Sequence, residues 1–317
     1  HFFKIFLFLM IQVRKVDVLY IFLPGYPGAL GWVAAKILKI PHIVYGADDW
    51  ITASESMFKW PRYKNTILYR IYVNVNRFFE RYIVQTAVFA VVAGGQLKEK
   101  YQEFGCETFH TTPRITLTKK DIFEQLDTCT NNIVNVVNVG GLIHDKAQHV
   151  LIDAFHRSYK KNQYMRLTVI GEGPLRDDLE QQVKSLNLEQ VVNFVGYVER
   201  EKELYGYLRN SDIFVLTSVT EGFPRVLYEA MTHRLPIIST KVGGIPYFLE
   251  DQKDAILCDI NDVCALSAAI DRVISEKILR MRLISNANVK MEQVFERSNP
   301  HQIFELLKSR ISNKRHS

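Results

Sequence analysis

Cysteine is scarce in this chain, and what there is forms no pattern. Cys106, Cys129, Cys258 and Cys264 make no C-x-x-C pair and have no histidine at ligand spacing. That argues against a metal site and for reduced, mostly buried thiols in a cytosolic protein. Long apolar runs are lacking too. The stretch from Phe2 to Ile11 is broken by Lys4 and followed at once by Gln12, Arg14, Lys15 and Asp17. It is too short to span a bilayer and has no small-residue cleavage site, so it reads as a partly buried helix. No G-x-G-x-x-G follows a strand and opens a helix, which disfavours a dehydrogenase. An RNA-binding signature and an arginine-rich arm are both missing, so nucleic acid is not an expected partner. Repeats and low-complexity tracts are likewise absent.

What is present is an ordinary globular composition. Of 317 residues, 47% are apolar and 23% charged, enough for two packed domains. The net charge of +6 is unevenly placed. Residues 1–128 hold 16 Lys/Arg against 11 Asp/Glu, while residues 129–317 hold 24 against 23. A basic first part beside a near-neutral second suggests a surface that meets something anionic, such as a lipid headgroup layer. Scattered solvated lysines would give the same count.

Short apolar runs alternate with amphipathic stretches, the pattern of parallel sheets with crossover helices. In the first part, strands are predicted at residues 16–23, 42–45 and 87–92, with helices at 29–38, 67–84 and 96–103. A polar segment, 116–132, precedes a second series. Its strands are predicted at 133–139, 167–170, 191–195, 213–216 and 237–239, its helices at 149–159, 175–186, 202–210 and 224–232. The expected organisation is an α/β chain with domains at 1–128 and 129–292 and a C-terminal segment, 293–317. Parallel sheets bind ligands at the carboxyl ends of their strands, which is where the glycines and charges of the second series collect.

Residues 211–231, S-D-I-F-V-L-T-S-V-T-E-G-F-P-R-V-L-Y-E-A-M, are the most informative. A buried strand ends in a small-residue loop. Gly222 allows close backbone approach, and a helix is expected to start around Pro224. A helix start offers free N–H groups and a positive dipole end to anionic or polyhydroxyl groups. Glu221 sits in the loop, where it could also be a simple helix-start charge. Glu229 lies inside the helix among apolar neighbours, a costly place for a carboxylate without a partner.

This E-x7-E pair, placed after S-D-x-F-x-x-x-S and before E-A-M, resembles the signature of the group 1 retaining glycosyltransferases, which have the GT-B fold of two Rossmann-like domains facing a cleft. The resemblance implies that Glu229 holds the ribose of a nucleotide and Glu221 the donor sugar, with Gly222, Phe223 and Pro224 forming the loop between them. Other segments are similar in the same order. Asn138-Val139-Gly140-Gly141-Leu142, then Lys146, resembles the family's glycine turn and basic phosphate-binding residue. Gly171-Glu172-Gly173-Pro174 matches a turn after the second strand. Phe194-Val195-Gly196-Tyr197-Val198 resembles the segment that meets the base. Residues 236–246 are similar to the loop closing the donor pocket, and residues 295–311 to a final helix crossing back to the first domain.

Departures accompany these matches. Gly141 stands where the family usually has Arg, with Lys241 or Arg225 as candidates to compensate. Ala147 replaces a glycine, Tyr247 a glutamate, and Gln252 a glycine. The first part matches more loosely. Residues 16–20 and 40–44 look like the family's fourth strand and its sequel, which implies that three strands and a glycine-rich acceptor loop stand before His1, leaving the first domain incomplete at its N-terminus. Gly46-Ala47-Asp48-Asp49-Trp50 occupies the place of a catalytic-region His-Asp, so Asp48 or Asp49 could hold acceptor hydroxyls, or form a solvated loop. No third ligand accompanies them, and the family works without a metal.

The resemblance thus implies a metal-independent retaining hexosyltransferase of cell-surface glycan biosynthesis with no cofactor. It would use a UDP- or GDP-linked nucleotide-sugar donor and a lipid-linked or polysaccharide acceptor, and would be cytoplasmic, peripheral at an inner membrane face. The catalytic candidates are Glu221, Lys146 and Asp48. A sugar-nucleotide epimerase or phosphorylase is a weaker reading, since no lysine-anchored pyridoxal site is recognisable. The rival from a different class is a catalytically weak or inactive partner subunit that binds a nucleotide sugar, as Gly141 and Ala47 would allow.

Overall fold

A computed structural model of the chain describes residues 2–47, 49–51, 66–92, 95–110, 117–199, 201–297 and 308. The chain divides into two compact units, one of residues 1–113 and 298–317 and one of residues 114–297.

The first unit is built on a parallel sheet of β1 (Leu19–Leu23), β2 (His42–Gly46), β3 (Ala90–Val92) and β4 (Thr108–His110), in that order. The helices between and around them are α1 (Phe2–Val13), α2 (Tyr26–Leu38), α3 (Ile67–Gln85) and α4 (Gly95–Glu103). Start signals are local. The Thr66 hydroxyl accepts the Tyr69 N–H at 3.2 Å, capping α3, and α2 ends where Lys39 turns left-handed. Ile21, Leu23, Val44, Ile83, Val84 and Tyr101 form the core. A charge lies inside it. Glu80, 1% exposed, takes a 2.7 Å bond from Lys100, which also reaches Asp49 at 2.5 Å. Burial raises the Glu80 carboxyl above its ordinary range, and Lys100 only partly offsets this. His42 is a core histidine, its Nε2 2.9 Å from the Ile83 carbonyl oxygen.

The second unit carries six parallel strands. They are β5 (Val134–Val139), β6 (Met165–Ile170), β7 (Val192–Gly196), β8 (Ile213–Leu216), β9 (Ile237–Thr240) and β10 (Ile256–Cys258), arranged β10-β9-β8-β5-β6-β7. Their near-continuous Val, Ile and Leu suits a sheet buried on both faces. One face is covered by α5 (Gln148–Tyr159), α6 (Arg176–Ser185) and α10 (Val263–Ser275), with Leu279 and Leu283 of α11 (Lys277–Arg297). The other is covered by α7 (Glu201–Arg209), α8 (Arg225–Thr232), α9 (Ile245–Phe248) and the later residues of α11. The chain moves outward from β5 in one direction through β6 and β7, then returns to β8 and continues the other way. The carboxyl ends of β5 and β8 therefore flank a topological switch point, the place where such sheets bind ligands.

Two predicted boundaries are corrected. The break falls at 113/114 rather than 128/129, because residues 117–127 are tied to the second unit. Phe123 N–H donates to the Thr232 carbonyl at 2.9 Å, and Asp127 accepts from Arg280 at 2.9 and 3.1 Å. The helix α11 also continues unbroken through 292. The crossing helix expected over residues 295–311 lies outside the described residues beyond Arg297, apart from Lys308. Among the described residues, no helix is long and apolar enough to cross a membrane. Cys106 and Cys258 are buried, Cys129 is half-buried and Cys264 exposed, all as free thiols.

Candidate active site

Three strand ends are tied together by backbone alone. Gly140 N–H donates to the Ile170 carbonyl and Gly171 N–H to the Gly196 carbonyl, each at 2.9 Å. Gly171 has φ +143, and any side chain there would collide with the Gly140 carbonyl oxygen. Gly173 is equally confined, since a Cβ there would lie 2.3 Å from the Leu142 carbonyl oxygen, so the two glycines of the turn after β6 are required by the close passage of chain past chain. After Gly141 the chain makes one 3₁₀ turn, His144–Lys146, and Ala147 turns left-handed (φ 45, ψ 42) to open α5. The Gln148 amide donates back to the Gly141 carbonyl at 3.0 Å.

The loop after β8 is stitched to that turn. Thr217 Oγ1 donates to the Lys146 carbonyl at 2.9 Å, and Val219 N–H to the Asp145 carbonyl at 2.8 Å. These bonds bring together two residues that the sequence offered separately, Lys146 and Glu221. Lys146 Nζ forms an ion pair with Glu221 Oε1, with side-chain exposures of 24% and 11%. Ser218, fully buried, donates its Oγ to the same carboxylate oxygen at 2.7 Å. Ser218 is itself held, its carbonyl accepting from Thr240 Oγ1 at 2.6 Å. Behind the loop, Gly243 (φ +52) passes so close to the Glu221 carbonyl that no side chain would fit, and Gly244 N–H donates to the Gly222 carbonyl.

Pro224 is the N-cap of α8, extended at φ −73 and ψ 124, so the helix proper begins at Arg225, one residue later than expected. Phe223 packs on Tyr228 and Phe248, with ring centroids 4.7 and 5.0 Å away, which anchors the loop on the core. Glu229 is 9% exposed within α8, between fully buried Tyr228 and Ala230. Its backbone carbonyl lies 2.7 Å from His233 Nδ1. Burial lowers the pKa of His233.

Gly196 ends β7 and leads to Tyr197, 74% exposed, and Val198. Lys146, Glu221, Gly140, Gly141, Gly222 and Phe223 thus gather at the ends of β5 and β8, and Tyr197 and Val198 follow the end of β7. Asp48 lies outside the described residues, while Asp49 is drawn into the ion pair with Lys100. Of the two cations considered as substitutes at Gly141, Lys241 faces Asp259 at 3.3 Å and Arg225 opens α8. Sequence reasoning did not single out Ser218, Thr217, Gln148 or Thr240 as separate contributors. Ser218 carried a signal as the closing serine of S-D-x-F-x-x-x-S, and Thr240 fell within the segment similar to the loop closing the donor pocket.

Comparison with known proteins identifies the family and the fold. The profile of the Glycosyl transferases group 1 family matches residues 119–290. LpsE, a lipopolysaccharide core biosynthesis glycosyltransferase of Rhizobium meliloti, is 27% identical over 162 residues, 51% of this chain and 46% of LpsE. AmsK, the amylovoran biosynthesis glycosyltransferase of Erwinia amylovora, is 30% identical over 168 residues, 51% of this chain and 41% of AmsK. The chain spans less than half the length of these curated relatives. In fold it is similar to HepE of Anabaena, with TM-score 0.76 and 20% identity over 96% of this chain and 82% of HepE. It is also similar to sucrose-phosphate synthase of Thermosynechococcus elongatus, with TM-score 0.71 and 17% identity over 98% and 80%. The expected fold class, GT-B, is the one these structures share. With its profile match over more than half its residues, the chain belongs to the group 1 glycosyl transferases.

Proposed function

We propose that the second unit binds a nucleoside-diphosphate sugar, and that the whole protein transfers the sugar with retention of anomeric configuration. The acceptor would be a lipid-linked sugar or growing polysaccharide. The observation that carries this reading is the Lys146–Glu221 pair, held by Ser218 at the switch point of the sheet. In the free protein the two charges satisfy each other. An arriving diphosphate competes for Lys146 and releases the Glu221 carboxylate to the hydroxyls of the sugar, while Ser218 keeps it in place. Negative charge grows on the leaving diphosphate during transfer, and a fixed ammonium beside the N–H groups that open α5 and α8 stabilises it. No metal or cofactor is needed in this scheme, since Lys146 supplies the cation. Glu229 takes the ribose hydroxyls, and Gly196, Tyr197 and Val198 line the base. Relatives named for lipopolysaccharide core and amylovoran synthesis support the acceptor class. HepE, crystallised with UDP and with UDP-glucose, supports testing uridine donors first.

The test is calorimetric titration with UDP, GDP, ADP and their sugars. Charged hydrogen bonds of the kind assigned to Glu229 are worth about 1.5–3 kcal/mol. The Glu229→Ala variant is therefore expected to lose about tenfold to a hundredfold in donor affinity with its circular dichroism unchanged. Unaltered affinity would refute the assignment. The second reading, a binding subunit without turnover, is favoured by Gly141. The backbone does not force a glycine there, because a Cβ would meet only the Glu172 carbonyl oxygen, at 3.7 Å. Donor binding with no transfer to any acceptor would decide for that reading.

A further inference from the structure

The helix α3 has an apolar face that the described residues leave exposed. Ile67, Ile71, Val75, Phe78 and Tyr82 recur at spacings of three and four, which aligns them along one side, and Leu68 widens the stripe. All six are exposed, from 44% for Tyr82 to 76% for Ile67. The opposite side carries Asn76, Glu80, Ile83 and Val84 into the core. A contiguous stripe of this kind differs from the scattered apolar residues of an ordinary surface. At about 1.5 Å per residue the stripe from Ile67 to Tyr82 runs for about 23 Å.

Charge identifies what lies against it. Arg70, Arg77 and Arg81 are exposed along one border of the stripe, and the Arg81 guanidinium lies 5.8 Å from the Phe104 ring centroid. Glu80 is the one acidic residue in α3, and it is buried on the far side. Apart from Asn74 and Gln85, the exposed surface of α3 is therefore apolar and cationic, with no carboxylate. A single convex helix with aliphatic and aromatic side chains edged by arginines has the layout of a helix lying in a lipid interface.

We propose that α3 docks the first unit on an anionic bilayer, inserting Ile67, Leu68, Ile71, Phe78 and their neighbours among the acyl chains while Arg70, Arg77 and Arg81 meet headgroup phosphates. The docking surface does not depend on the transfer reaction, and its test needs no donor or acceptor. The full chain is sedimented with vesicles of phosphatidylcholine alone and of phosphatidylcholine mixed with phosphatidylglycerol. The expected result is binding to the mixed vesicles that weakens as salt is raised. Phe78→Glu should weaken it about tenfold or more through lost apolar insertion, and Arg77→Gln about fivefold through one lost headgroup attraction. Both sites face solvent, so circular dichroism should stay unchanged. Absence of binding to the mixed vesicles, or equal binding to both kinds, would overturn the proposal. So would a concentration-dependent dimer in analytical ultracentrifugation that Phe78→Glu dissolves, because a second copy would then be the occupant.

Discussion

Each unit contains a lysine that bridges to a glutamate, and the two carboxylates lie in different surroundings. In the first unit, Lys100, 26% exposed, reaches in to a Glu80 carboxylate that is only 1% exposed, with the Tyr101 hydroxyl 3.5 Å away. In the second, Lys146 meets Glu221 at the open ends of the strands, where both keep some contact with solvent. The first pair is bound to the fold, since separating it leaves a charge in an apolar interior. The second is bound only to its loop, since either partner can turn to another polar group. Ionic chemistry alone does not mark a functional site. The distinguishing feature is whether a ligand could take over one partner without unfolding anything.

The sharpest way to break this comparison is to remove both lysines in turn. Lys100→Met strands Glu80 in the core and should cost about 3–5 kcal/mol. All three tryptophans, Trp32, Trp50 and Trp60, fall in the first unit, so denaturation followed by tryptophan fluorescence reports that loss directly. Lys146→Met should cost less than about 1 kcal/mol, because Glu221 keeps its Ser218 bond and its access to water. Its affinity for diphosphate donors should nevertheless fall sharply. Equal stability losses in the two variants would show that the second pair is as structural as the first.

Acid should separate the units by sign. Folding raises the pKa of Glu80, mainly through burial, so the folded first unit holds that proton more tightly than the unfolded chain. Its stability should rise as pH falls from the raised folded pKa toward the ordinary carboxyl value near 4.5. The second unit holds His233, whose pKa is lowered, chiefly by burial and further by Arg209. The unfolded chain then binds the proton more tightly, and stability should decline as pH falls below 6.5. Unfolding midpoints by tryptophan fluorescence and by far-ultraviolet circular dichroism, taken from pH 7.5 down to pH 5, should drift apart in those directions. Glu80→Gln should abolish the first drift and leave the second. Midpoints moving together would mean that the units unfold as one.

Legibility followed the same division between local and distant causes. The strand β8 and the helix α3 could be read almost residue for residue, because period and composition fix them within one window. The Lys146–Glu221 site was readable because the signature around β8 is contiguous and the glycine turn after β5 has its own pattern. The strands β4 and β10, three residues each, were not read as strands. Thr-Phe-His and Ile-Leu-Cys are too short to show alternation, and each is held by pairing with a single neighbour. The unit boundary was displaced because residues 117–127 look like a polar linker. They become part of the second unit only through partners such as Thr232 and Arg280, more than a hundred residues away. Ser218 stood in a recognised motif, but its bond to Glu221 depends on how the loop folds back.

The smallest expected effect concerns Ala147, at which the family resemblance implies a glycine. Its backbone is left-handed, which costs a non-glycine residue about 1–2 kcal/mol. Ala147→Gly would relieve that strain. The methyl group is fully buried in the core beside the sheet, and losing it costs about 0.8 kcal/mol of apolar burial. The added freedom of glycine in the unfolded chain costs about a further 0.4–1 kcal/mol. These terms nearly cancel, so Ala147→Gly should shift the stability of the second unit by no more than about 0.5 kcal/mol in urea denaturation followed by circular dichroism. A near-zero result would explain how alanine persists at a left-handed position, with packing offsetting strain. A gain above about 1.5 kcal/mol would mean that strain dominates at the turn carrying Lys146, and an equal loss that the methyl contact does.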